Sequence, residues 1–325
     1  MKIAIIDTVN QDIGLKILFP EADYFIHNDE DCTRKDRITS YNHYKFSPNA
    51  DLSSIHDKNY DYVFIVLASY NILPYTHYYQ ENVKIIFDKV MDIINQNDFK
   101  FVALFDNYDF DYDPTTFIIN PKINTFFKRN YNKTKKYSDK VVPFPFIMFG
   151  HKSLIEKCDR ELVSKSEYFQ EKQPRIFFSG NIFPKNSYFY DDMDIPRGRQ
   201  EIYSKISNDI YNPGNLDYTR FINELRNSKF SLDLLGVGDP NKRTFEILMS
   251  GSLMISEYNN LLWPFTDGEE FNKDTIFKNE IEFKDIICNL SNNTTLYNSC
   301  LQNQYNIVQK YFNKKWLRNY ILDKI

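Results

Sequence analysis

Arg243 and Glu246 have the chemistry and the spacing to hold a phosphorylated ligand. They follow an apolar run, Phe230 to Leu235, that reads as a strand and leads into Gly236-Val-Gly238, a turn that lets backbone approach a ligand. A helix is expected from about Asn241 to Ser250, with Gly251 as its stop. Its free N–H groups and dipole favour phosphate. Lys242 and Arg243 fall in the first turn, and the planar fork of Arg243 suits two phosphate oxygens better than an ammonium would. Glu246 follows at i+3 on the same face, where its carboxylate can accept both hydroxyls of a ribose diol. The competing reading is a solvated surface pair worth ~0.2–0.5 kcal/mol to the helix.

These residues need a scaffold, and the chain is long enough to supply two domains. It has 325 residues, of which 42% are hydrophobic and 26% charged, a globular composition. Apolar runs rich in β-branched and aromatic residues alternate with helical periodicity, as in βαβ units with parallel sheets. In the first half, residues 2–6, Tyr60 to Leu67 and 100–105 read as strands. A helix carrying Ile85, Ile86, Val90, Ile93 and Ile94 lies between the last two. The pattern breaks from Val141 to about Pro174, then resumes with a strand at Arg175–Ser179 stopped by Gly180. Helices at Arg199–Ser207 and Tyr218–Asn227 follow, then the strand Leu253–Ser256 and a helical C-terminus with Tyr305, Val308, Tyr311 and Phe312 on one face.

Composition also excludes. The net charge is −4, and no basic stretch interleaves with aromatics as nucleic-acid binding would require. The one basic run, Lys128 to Lys136, reads as a solvated loop. Cys32, Cys158, Cys288 and Cys300 form no C-x-x-C pair and no metal-spaced set, so they read as reduced thiols. The first residues are too short an apolar run for a signal-peptide core, and no stretch approaches the ~20 apolar residues of a membrane span. A cytoplasmic location is the expectation.

The order Phe177-Phe-Ser-Gly180, Arg199-Gln-Glu-Ile, Leu225-Arg-Asn-Ser228-Lys-Phe230 and Arg243-Thr-Phe-Glu246 with Gly251 resembles the second domain of the exostosin-like glycosyltransferases and their GT-B relatives. The likeness covers roughly residues 175–258 and is loose over the first half, where it rests on Phe127-Lys-Arg129 and Pro143-Phe-Pro-Phe146. It implies an α/β fold of two Rossmann-like domains facing a central cleft. The expected parts are an acceptor-side domain over 1–150, a connection over 151–174, a nucleotide-sugar domain over 175–305, and a helix over 306–325 returning to the first domain. By the same resemblance Gly180 and Arg199 would lie near the donor phosphates, Arg243 on the diphosphate and Glu246 on the ribose, with a glycan or other hydroxyl-bearing acceptor as second substrate. An inverting member needs a general base for that hydroxyl, and Asp106 and Asp109, then Asp7, are the candidates at or after strand ends.

A rival lies in Asp109-Phe-Asp111-Tyr-Asp113, a D-x-D pattern that could hold Mg²⁺ or Mn²⁺ against a diphosphate. D-x-D is short and frequent, the chain has other acidic loops such as Asp191-Asp-Met-Asp194, and this reading leaves Arg243 and Glu246 without a task. No cofactor or metal is therefore expected. A third reading is a sugar- or nucleotide-binding protein that kept the fold without the chemistry.

Overall fold

The computed structural model describes residues 1–7, 14–26, 50–57, 59–67, 88–106, 113–144, 163–180, 182, 199–235, 242–262 and 273–325. The chain divides into two compact units, Met1–Ile155 with Lys314–Ile325, and Glu156–Asn313.

In the first unit the elements are β1 (Ile3–Asp7), α1 (Gly14–Leu18), β2 (Asp23–Ile26), β3 (Ala50–Asp51), β4 (Tyr62–Leu67), α2 (88–96), β5 (Phe101–Asp106), α3 (Thr115–Ile118), β6 (Thr125–Lys128) and β7 (Val141–Pro143). The seven strands form one sheet in the order β3-β2-β1-β4-β5-β6-β7. Every neighbouring pair is parallel. β1 is buried along its whole length and β4 and β5 along all but their first residue, which is why they read as continuous apolar runs instead of alternating ones. One face carries an aromatic ladder: Phe64 packs on Phe105 at 5.4 Å, Phe105 stacks on Phe127 at 4.5 Å, and Phe127 meets Phe144 at 5.3 Å. The connections run outward from β1 on one side and from β4 on the other. The crevice between the carboxyl ends of those two strands is thus the switch point at which such sheets bind ligands.

The basic run departs from expectation. Lys128 is the last residue of β6 and is 0% exposed, and Arg129 and Asn130 are also buried. Only Lys133 to Lys136 are solvated, beyond a turn in which the Asn132 side chain accepts from the Thr134 amide at 3.0 Å. Strand propensity in Thr-Phe-Phe overrides the charge of Lys128, whose ammonium finds a carboxylate inside the sheet.

The second unit comprises α4 (Lys165–Tyr168), β8 (Gln173–Phe177), α5 (Arg199–Ile206), β9 (Ile210–Tyr211), α6 (Tyr218–Asn227), β10 (Ser228–Asp233), α7 (Lys242–Ser250), β11 (Leu253–Glu257), β12 (Ile276–Phe277), α8 (Glu280–Asn292) and α9 (Thr294–Tyr311). Its five parallel strands run β12-β11-β10-β8-β9. Here the switch point falls between β8 and β10, since β9 lies to one side of β8 and the rest of the chain builds on the other. Helix boundaries follow side-chain caps: Asp217 accepts from the Arg220 amide to start α6, Asn279 from Glu282 to start α8, and Asn293 from Leu296 to start α9. Gly251 ends α7 with φ 76°, and a Cβ there would come 2.9 Å from the Tyr168 backbone, so both conformation and space require glycine.

The chain then returns to the first unit as α10 (Lys314–Leu322). Arg318 donates to the Leu18 carbonyl at 2.8 Å, pairs with Glu21 and lies 4.7 Å from the Phe19 ring centroid. Tyr320 donates to the Pro143 carbonyl at 2.5 Å. Among the described residues no helix is long and apolar enough to cross a membrane.

Candidate functional site

The residues singled out in the second half converge on the carboxyl edge of the second sheet. β8 ends at Phe177, and Phe178, Ser179 and Gly180 continue over the switch point. Ser179 is fixed by its hydroxyl, which donates to the Gly214 carbonyl at 2.9 Å. Arg243, in the first turn of α7, lays its guanidinium against this segment. Its Cζ stands 5.0 Å from the Phe178 ring centroid, and a Cβ built on Gly180 would lie only 2.6 Å from that same atom. Glu246, one turn further along α7, is 6% exposed. That burial removes the surface-pair reading, because a solvated i,i+3 pair keeps both heads in water.

Arg199 opens α5 and is 9% exposed. Its Nε donates to the Leu235 carbonyl at 3.1 Å and one terminal nitrogen to the Leu234 carbonyl at 3.2 Å, so it pins the chain as it leaves β10. The Leu235 amide in turn donates to Glu257 at 3.1 Å, at the end of β11. Gly236 and Gly238 lie outside the described residues, as does the side chain of Lys242.

Asp233, the last residue of β10, is a member of this cluster that the sequence reading passed over. Burial pushes its carboxyl above the ordinary carboxylate range; the Thr244 hydroxyl and the Arg243 and Arg199 guanidinium groups oppose that rise, and Glu257 adds to it. An acidic residue set among Phe230, Leu232 and Leu234 was the signal available, since a buried carboxylate inside an apolar strand needs cationic neighbours. Asp233 and Glu257 thus share the edge of this sheet with the Arg243 and Arg199 guanidinium groups.

In the first unit the strand-end carboxylates are deeply placed. Asp7 ends β1 and accepts from the Tyr24 hydroxyl at 2.6 Å. Asp106 ends β5 and lies 3.8 Å from the Lys128 ammonium, both side chains 0% exposed. Register puts Asp7 beside Val66 and Asp106 beside Leu67, so the two residues end their strands one step apart and on opposite faces of the sheet. Asp109 and Asp111 lie outside the described residues. Asp113 accepts from the Thr115 amide at 3.0 Å and its hydroxyl at 2.6 Å, and these bonds hold its carboxyl below the usual range.

Residues 188–323 match the family model described as Glycosyl transferase-like. No curated protein sequence matches the chain. Among solved structures it is similar to Anabaena Alr3699/HepE in complex with UDP, at 9% identity with a TM-score of 0.56 over 99% of each chain. It is also similar to the same protein in complex with UDP and glucose, at 10% identity and TM-score 0.55 over 99% of this chain and 98% of that one. T4 phage BGT in complex with its UDP-glucose substrate is matched at 12% identity and TM-score 0.49, over 100% and 99%. The architecture is GT-B, and the glycosyl transferase-like match lies in the second unit and the C-terminal helix that follows it.

Proposed function

We propose that the second unit binds the UDP portion of a nucleotide-sugar donor and that the enzyme transfers the sugar to a hydroxyl of a glycan or similar acceptor. The observation that carries this reading is the Arg243 guanidinium laid across Gly180 at the switch point, with Glu246 one turn deeper on the same helix. A donor diphosphate would engage Arg243 and the N-terminus of α7, and the ribose diol would engage Glu246. The Anabaena structures of the same fold contain UDP and UDP-glucose, which supports uridine as the nucleotide. In this reading Arg199 acts on the donor site by holding the end of β10, and the exostosin-like order of motifs belongs to the donor half.

Cationic side chains and a helix N-terminus neutralise the leaving diphosphate in the place a metal would take, so the transfer is metal-independent. The acceptor is deprotonated by a carboxylate of the first unit, with Asp106, Asp109 and Asp7 as the candidates. A cytoplasmic location completes the reading.

Glu246→Gln tests the donor site and preserves the volume of a buried side chain. Hydrogen bonds to a charged group are worth ~1.5–3 kcal/mol, so the loss of charge should weaken UDP binding at least tenfold in calorimetry. Unaltered UDP affinity in a variant that melts like the wild type refutes the assignment.

A further inference from the structure

We propose that Gly180 is a positioning residue for Arg243: its missing side chain is the space in which the guanidinium rests, ready for the donor diphosphate. The inference deepens the donor reading above and depends on it.

A glycine is required either for a backbone that other residues avoid or for room. Gly214 and Gly251 have φ of 81° and 76°, in the left-handed region. Gly180 does not, so any residue could adopt its backbone. What it supplies is room. An ideal Cβ at this position would stand 2.6 Å from Arg243 Cζ and 2.9 Å from Nη1, inside the 3.0 Å that real Cβ atoms respect. Phe178, two residues before, presents its ring to the same guanidinium at 5.0 Å. The Asp233 carboxyl is a further neighbour, near enough for Arg243 and Arg199 to act on its protonation. The guanidinium therefore lies in a slot with an open floor at Gly180 and an aromatic wall at Phe178. A free arginine would lose rotamer entropy when it clamps a phosphate, and a slot that already fixes the fork reduces that loss.

The obstructing atoms are the far end of a long side chain, so a methyl group at position 180 displaces the guanidinium and leaves the fold intact. Gly180→Ala should melt close to the wild type and yet bind UDP about tenfold more weakly, approaching Arg243→Met. The deciding measurement is the double-mutant cycle for UDP binding by calorimetry, using Gly180→Ala, Arg243→Met and the combination. Once Arg243 is gone the methyl group has nothing to displace, so the double variant should bind UDP as Arg243→Met does. Additive losses would show that Gly180 acts through its own backbone or through general damage, and would overturn the proposal. So would wild-type affinity in Gly180→Ala alone. If Arg243→Met itself leaves UDP affinity unchanged, the donor reading fails first and the proposal falls with it.

Discussion

Replacing Lys128 by methionine is expected to destabilise the first unit by ~3–5 kcal/mol, because it removes one charge of a buried pair and leaves the other inside. The Lys128 ammonium and the Asp106 carboxylate are 3.8 Å apart with both side chains fully buried. At an effective dielectric of ~20 two unit charges at that separation attract by about 4 kcal/mol, in line with the cost of breaking such pairs. Methionine nearly matches the length of the lysine stem, so the stem's packing at the end of β6 is retained and the loss reports charge. The Tyr137 ring, 6.0 Å from the ammonium, adds a smaller attraction. Urea denaturation followed by circular dichroism measures the change. A second variant, Asp106→Asn with Lys128→Met, removes both charges and should recover most of the stability, since an uncharged pair no longer strands an ion. A loss under ~1 kcal/mol in Lys128→Met, or a double variant no more stable than the single one, would refute the claim that the pair is electrostatically coupled.

Other expectations follow from the same geometry. Asp233 has a folded-state carboxyl pKa raised by burial, so the native protein keeps that proton to higher pH than the unfolded chain. Its contribution is fully present below the unfolded value of ~3.9 and is lost as pH rises through the folded value. Wild-type stability should accordingly fall relative to Asp233→Asn as pH rises, and a pH-independent difference in urea midpoints contradicts this. Arg318→Ala removes the bond to Leu18, the pair with Glu21 and the contact with Phe19, and should cost ~1–2 kcal/mol, whereas Glu21→Gln, on a half-exposed pair, should cost under ~1 kcal/mol. Sugar transfer from the nucleotide-sugar donor should persist in excess EDTA. Abolition with rescue by Mn²⁺ would move the diphosphate site to Asp109, Asp111 and Asp113.

Both sheets announce themselves in the sequence where their strands are buried on two faces. Ile3–Asp7, Tyr62–Leu67 and Phe101–Asp106 are apolar because successive residues, which point to opposite faces, are both buried, and the expected runs differ from these by a residue or two. The two-residue strands β3, β9 and β12 carry no such signature, because so short a segment shows neither alternation nor a run and exists only by pairing with a longer neighbour. Helix α8 is likewise hard to read from sequence: Glu280, Glu282, Lys284 and Asp285 give it the look of a polar stretch, and only Phe283 and Leu290 are buried. Charge misled in the other direction at Lys128, where a run of basic residues conceals the point at which strand becomes loop.

The candidate site divides along the same physical line. Arg243 and Glu246 are readable because i,i+3 spacing on a helix places them on one face whatever surrounds them. Arg199 is readable as a helix start, but its hold on the Leu234 and Leu235 carbonyls depends on where α5 packs against the sheet, which no local pattern encodes. Gly180 is the extreme case. Read along the chain it is a strand terminator, and in space it is the clearance for a side chain 63 positions away. The residue is visible in sequence and its reason is not, because the reason belongs to Arg243. A glycine with an ordinary backbone at the carboxyl end of a parallel strand therefore directs attention to whatever crosses over it, and here that is the group best suited to grip a diphosphate.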